Sequence, residues 1–229
     1  TTQSVGISDK TQVNSALSAY NLLSLSAKNL LVAEKALLDG LLVEINKQES
    51  YLSTLTTFKT NILTAMNTGA FLNLMIDDDT AAARILAIKT KISTIVTNPN
   101  VIVNVTLLST GNYDVKLTYL GSKIELNFGL SATFAFSQTY KDKLESLEIQ
   151  KMLTDYFAIN TVFVKDYNET VKYNAFIAQM NYLLKDSNAT YIVKSVIHRP
   201  GYNPSTFEIT IQKGSTITTS IINVDFGKK

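Results

Sequence analysis

The chain has no cysteine, no tryptophan, a single histidine (His198) and only three prolines in 229 residues. Each shortage removes a kind of chemistry. Without Cys there is no disulfide, thiolate nucleophile, iron–sulfur cluster or Cys zinc site, and cysteine usage cannot assign an oxidising or reducing compartment. One His cannot supply two His ligands, so the common catalytic zinc sets are excluded unless subunits share a site, and a Ser–His–acid triad would have to use His198. Charge is scarce as well. Charged residues make up 17% of the chain, below the usual quarter, and the net charge of +2 is too small to imply a nucleic-acid or acidic-membrane partner. No run of 18 apolar residues is free of charge: the most apolar stretch, residues 22–45, is broken by Lys28, Glu34, Lys35, Asp39 and Glu44, which argues against a membrane span. The first ten residues are polar and lack a signal pattern, and Thr1 is compatible with removal of an initiator Met or of a longer leader. The nine glycines form neither a dinucleotide-type nor a phosphate-loop pattern.

Hydrophobic residues make up 45% of the chain, enough for a real core, and Thr, Ser and Asn take the place of surface Lys and Glu. From Thr11 the pattern is helical. Ala16, Leu23, Leu30 and Leu37 recur every seven residues, a coiled-coil-like seam, and Leu22, Leu25, Leu31, Leu38, Leu42 and Ile45 widen the apolar face. A helix this apolar needs partners on more than one side. Gly40 is its weak point, where the helix is expected to bend or another backbone to come close. A second helix is expected over residues 50–66, with Leu55, Phe58, Ile62 and Ala65 on one stripe. A third is expected to start after Asp77-Asp78-Asp79-Thr80, carrying Ile85, Ile88, Ile92 and Ile95.

The period then changes from 3.6 to 2. Residues 101–108, 113–119 and 124–128 read as strands, joined by turns at Gly111 and Gly121-Ser122, and residues 130–136 are expected to extend the last. Helices follow over residues 137–156 and after Asp166 to Glu169, whose spacing is that of a capping box. A short strand is expected at 161–164, and three more at 190–197, 206–212 and 216–225. Both strand blocks carry Gly-Ser at the matching turn and end in Phe-Gly (Phe128-Gly129, Phe226-Gly227), which raises an internal pseudo-repeat. The expected fold is therefore α+β: a long N-terminal helical hairpin or bundle (1–97), a three-stranded antiparallel block (98–136), a helical pair (137–186) and a second three-stranded block (187–229). These would form one or two compact units, 1–136 and 137–229.

Motifs with chemistry are few. Asp77, Asp78 and Asp79 could supply carboxylates to a divalent ion, but no Gly at EF-hand spacing and no distal Glu accompany them, and acids before a helix suit its positive N-terminal end. His198-Arg199-Pro200-Gly201-Tyr202 lies between two predicted strands. No acid and nucleophile stand beside His198 in sequence, so it reads as a Pro-Gly loop, with Arg199 and Tyr202 as a partner contact of the residue types favoured at interfaces. Asp225-Phe226-Gly227 matches the kinase metal-binding tripeptide in letters only, since the glycine-rich and His-Arg-Asp loops are missing. Glu125, Asp142, Glu145, Glu148 and Asp155 are available for acid–base work, with none singled out. Asn104, Asn168 and Asn188 fit the glycosylation pattern at about the frequency chance gives. No catalytic, cofactor or metal residue is assigned.

The informative feature is the surface. Outward strand faces rich in Thr, Ser and Asn, a last strand with similar polarity on both faces, and a very apolar first helix all favour burial against other subunits. The composition, rich in Asn, Thr, Ile and Lys, resembles that of many bacteriophage virion proteins, such as tail, connector or capsid-accessory subunits. The likeness covers the whole chain and no motif carries it. It implies a non-enzymatic structural subunit in a virion or other extracellular assembly, partnered by copies of itself and by other structural proteins. A secreted or surface-exposed binding module is the second reading and an acid–base hydrolase the third.

Overall fold

The structure is a computed structural model that describes residues 5–197 and 205–229. The protein is α+β, with a long N-terminal helix and two three-stranded antiparallel sheets. It divides into two compact units. Unit 1 comprises the chain up to Met75 and Asp79–Ala135; unit 2 comprises Ile76–Asp78 and Phe136–Lys229.

Unit 1 opens with α1 (Lys10–Asn21), α2 (Leu25–Leu30) and α3 (Val32–Asn67). After β1 (Leu74–Ile76) and α4 (Ala81–Ser93) come β2 (Val101–Leu107), β3 (Tyr113–Tyr119), β4 (Glu125–Leu130) and β5 (Phe134–Phe136). Strands β2, β3 and β4 form an antiparallel meander with Val105 opposite Val115 and Val115 opposite Phe128. Alternation decides its faces: Tyr113, Val115 and Leu117 are buried on one side of β3. Onto that side pack the stripe Leu55 and Ile62 of α3, flanked by Phe58 and Ala65, and Ile88 and Ile92 of α4. Within each helix these residues stand three, four or seven apart, so each helix supplies them from one face. The tight turns at Gly111 and Gly121 have φ of +84° and +72°, a region only glycine enters freely. Strand β5 pairs with β1 and does not prolong β4.

Two boundaries differ from the sequence reading. The helix is not interrupted at Gly40 and nothing lies within 4 Å of where its Cβ would be; α3 runs unbroken for 36 residues, about 54 Å. The polar stretch around Asn46 to Ser50 contains only residues a helix accepts, so nothing stops it. The breaks fall earlier, at Leu22 to Ser24 and at Leu31. Ser24 accepts a hydrogen bond from the Ala27 amide, which starts α2, and Leu31 leaves the helical region with φ −114° and ψ 28°. The mid-helix threonines are accommodated by back-bonding: Thr54, Thr56, Thr57 and Thr60 each donate to the carbonyl four residues earlier.

The N-terminal part of unit 1 is an arm. Helix α1 runs back along α3: Lys10 pairs with Glu49, Gln48 donates to the Val5 carbonyl at 2.9 Å, and Lys35 lies 5.8 Å from the Tyr20 ring centre. Among the described residues from 10 to 44, Val13 alone is buried.

Unit 2 contains α5 (Gln138–Ile159), β6 (Val162–Val164), α6 (Glu169–Leu184), β7 (Thr190–Ile197), β8 (Ser205–Lys213), β9 (Thr216–Val224) and β10 (Phe226–Lys228). Strands β7, β8 and β9 form the second meander, with a bulge between Ser195 and Ile197, and β10 pairs in parallel with β6. Phe207, Ile209, Ile211, Ile222 and Val224 face Leu153, Phe157, Phe176 and Met180. Phe176 stacks on Phe207 at 4.2 Å between ring centres. Small groups let α5 press close to β9: Ser146 bonds Thr218, and a Cβ on Gly214 would overlap the Asp142 carboxylate. Helix α6 is capped by Asn168, which accepts from the Val171 amide at 2.9 Å, and not by Asp166 as the capping-box spacing predicts; Asp166 instead accepts from the Asn168 side chain at 3.0 Å. Both meanders turn at Gly-Ser between their second and third strands. They then diverge: Phe128-Gly129 lies inside β4, whereas Phe226-Gly227 forms the separate strand β10.

Candidate functional site

Of the described residues singled out by sequence, Glu145 and Glu148 line one hollow of unit 2. Asp79 pairs with Arg84, whose pKa is raised by that hydrogen bond and charge, while Thr80 caps α4 by accepting from the Ala83 amide at 3.2 Å. The acidic triplet thus opens a helix, and no group of three His, Cys, Asp or Glu poised for a metal occurs among the described residues. His198, Arg199 and Tyr202 lie outside the described residues, and with them the proposed Arg–Tyr contact. The other acids are engaged locally: Glu125 with Lys116, Asp155 with Lys151, and buried Asp142 accepting from Gln138 at 2.8 Å. Phe226 is a core residue, and the Asp225 carbonyl accepts from the Val162 amide at 2.9 Å, so that tripeptide serves the β6–β10 pairing.

Among the described residues each unit has a hollow. In unit 1 a cavity of about 560 Å³ is lined by Val5, Leu41, Gln48, Tyr51, Ser122 and Lys123. The Tyr51 ring in its lining stacks at 3.9 Å on Tyr119. Glu44 and Lys47 at its rim sit 3.7 Å apart and offset each other's charge. In unit 2 a shallower hollow of about 430 Å³ is lined by Glu145, Glu148, Met152, Asp186 and Lys213. Lys213 is committed twice, to Glu145 at 2.9 Å and to the Ser187 carbonyl at 2.8 Å.

Sequence reasoning missed Lys172, which is buried in unit 2. Its ammonium lies 5.4 Å from the Tyr167 ring centre, 5.5 Å from that of Phe226 and 3.5 Å from the Ser205 hydroxyl. Aromatic faces stabilise a cation removed from water. The available signal was spacing: Lys172 stands four residues before Phe176, on the buried stripe of α6.

The surface is where the chain departs most from an ordinary solvated domain. On the arm, Leu22, Leu25, Leu30, Val32, Leu37 and Val43 are exposed, Leu22 and Leu30 to 89% and 83%. On the outer face of the β7–β9 meander, Ile192, Ile217 and Ile221 are exposed between hydroxyl pairs: Thr210 with Thr219 at 3.1 Å, and Thr206 donating to the Asn223 side chain at 2.8 Å. That face also carries Glu208, opposite Ile221, but its hydroxyl and amide groups bond one another across strands, so covering those removes few water hydrogen bonds without replacement. No helix among the described residues is long and apolar enough to cross a membrane. Comparison with protein-family models, with curated proteins and with solved structures finds no match to this chain.

Proposed function

We propose that the protein is a non-enzymatic structural subunit that associates with copies of itself and with other structural proteins in a larger assembly, of the kind that builds a bacteriophage tail, connector or capsid accessory. One observation carries the reading: seven large aliphatic side chains, Leu22, Leu23, Leu25, Leu30, Val32, Leu37 and Val43, stand exposed on the arm of unit 1, next to helices that give them no core. Exposed aliphatic surface in this amount marks a contact with another macromolecule. The Thr- and Ile-rich sheet face of unit 2 and the compositional likeness to virion proteins support it. Virion, or another extracellular assembly, is the location this reading assigns. Light scattering coupled to size exclusion tests it: the purified chain is expected to run as a defined oligomer at micromolar concentration. A 25.3 kDa species at every concentration overturns self-association.

A further inference from the structure

We infer that the free edge of β9 pairs with β9 of a second copy of this chain, antiparallel and across a two-fold axis at Thr219. The inference rests on the self-assembly reading and places one contact of that assembly in unit 2. The strand order β7-β8-β9 leaves β9 last in its sheet, paired with β8 alone among the described residues. An end strand keeps a row of unpaired amides and carbonyls, which an added strand satisfies in register. Native edges are usually guarded by a charge, a proline or a bulge. Strand β7, at the other end of this sheet, carries Lys194 and a bulge, and β4 in unit 1 carries Glu125. Strand β9 has no such guard: its nine residues include no charge and no Pro, and they hold an unbroken register with β8. Helix α5 does not close the edge. It reaches β9 through the Thr216 and Thr218 side chains, on the face that Ile222 and Val224 bury, and so lies over the sheet.

Self-complementarity selects a second copy as the added strand. An axis at Thr219 sets Ile217 opposite the partner's Ile221 and Thr218 opposite the partner's Ser220. Ile217 and Ile221 are 62% and 60% exposed, and directly opposed β-branched side chains are a stabilising unit of a sheet. The same register sets Val224 against the turn at the partner's Gly214, so the new pairing ends before Phe226 joins β6. Side-chain alternation is kept, with the even-numbered residues of both copies on the α5 side. Helix α5 agrees with this axis. Its residues Glu145, Ile149 and Met152 line the hollow beside Lys213 of β8, and helical spacing puts Leu147 on the opposite flank, toward the open edge. Leu147 is 44% exposed and adjoins Ser146, which bonds Thr218, so it stands level with the axis and faces the neighbouring copy. With no charge anywhere in β9, two copies meet along it without like-charge repulsion.

On the axis, Thr219 faces its own counterpart at about 4.5–5.5 Å between Cα atoms, within the range a disulfide spans. Because the chain contains no Cys, a single introduced thiol reports that encounter without background. The experiment uses the full chain as wild type, as Thr219→Cys, and as Thr106→Cys, an exposed control on β2, the other uncharged end strand. Two double variants test the register. Ile217→Lys/Ile221→Lys sets like charges opposite each other across the axis, and Ile217→Glu/Ile221→Lys sets opposite charges there. Sedimentation equilibrium is expected to show association of the wild type, weakened about tenfold or more in the like-charge variant and restored in the opposite-charge variant. Under mild oxidation Thr219→Cys should form a disulfide-linked dimer at concentrations where Thr106→Cys does not. If the like-charge variant loses its circular dichroism signal, the cross-linking comparison decides. A wild-type oligomer that survives in a folded like-charge variant, with no preferential Thr219→Cys cross-link, overturns the β9 pairing and leaves self-assembly standing. A wild-type monomer with no preferential cross-link overturns both and leaves the edge to an extended segment of a different protein.

Discussion

Two phenols in the fold carry a pH dependence. Tyr113 is buried in the core of unit 1, and burial raises its pKa from 10.0, with Arg84 beside it pulling the other way. Tyr191 in unit 2, whose hydroxyl donates to the Asn181 side chain at 2.6 Å, is also raised, by burial first and then by Tyr173. Below about pH 10 both phenols are protonated in the folded and the unfolded chain, so neither makes stability vary. As pH rises past that value the unfolded chain releases these protons while the folded chain holds them, and unfolding is favoured. Denaturant midpoints measured from pH 8 to pH 11 are therefore expected to fall above about pH 10. Tyr113→Phe should reduce the slope of that fall. An unchanged slope in the variant would show that Tyr113 ionises as easily in the folded chain as in the unfolded one.

Helix α3 is the element in which sequence and structure are most instructively at odds. Its C-terminal half was legible because the stripe Leu55, Phe58, Ile62 and Ala65 meets a sheet that fixes its rotation. Its N-terminal half was not, because an apolar run without a core has no preferred face: every side is equally greasy, and periodicity cannot locate an end. Gly40 drew attention as a breaker, yet α3 starts at Val32, after Leu31 leaves the helical region without any side-chain cap, and Ser24 caps the short α2 before it. Strands were easier to place, since alternation and the Gly-Ser turns agree over β2 to β4 and β7 to β9. The parallel pairing of β10 with β6 left no trace in local pattern, being set by long-range packing around Phe226. The buried Lys172 was hidden for a similar reason: its type signals a surface, and only its spacing signals the interior. With no atom near the missing Cβ, Gly40→Ala is expected to stabilise the arm by up to about 1 kcal/mol. Thermal unfolding followed at 222 nm measures it. A lowered midpoint would mean that another backbone approaches there in solution.

At the scale of the molecule, the association proposed here is driven by aliphatic surface with balanced charge, which fixes how solution conditions act on it. Raising sodium chloride from about 50 mM to about 500 mM shortens the screening length but acts on little net charge, so the dissociation constant is expected to shift by less than about threefold. Ammonium sulfate, which strengthens apolar burial, should tighten it. Analytical ultracentrifugation across both salts distinguishes the cases. A steep loss of association in sodium chloride would instead assign the contact to ion pairs and remove the arm from it.

The division of the chain also has a consequence for its synthesis. The clustered core of unit 1 draws on residues from Leu55 to Phe134, whereas the sheet of unit 2 and the β6–β10 pairing need residues up to Lys228. A ribosome completes the first core while the strands of the second are still untranslated. The leucine-rich arm emerges earlier still, so throughout elongation it is the nascent segment most in need of a chaperone or of a neighbour on the same messenger.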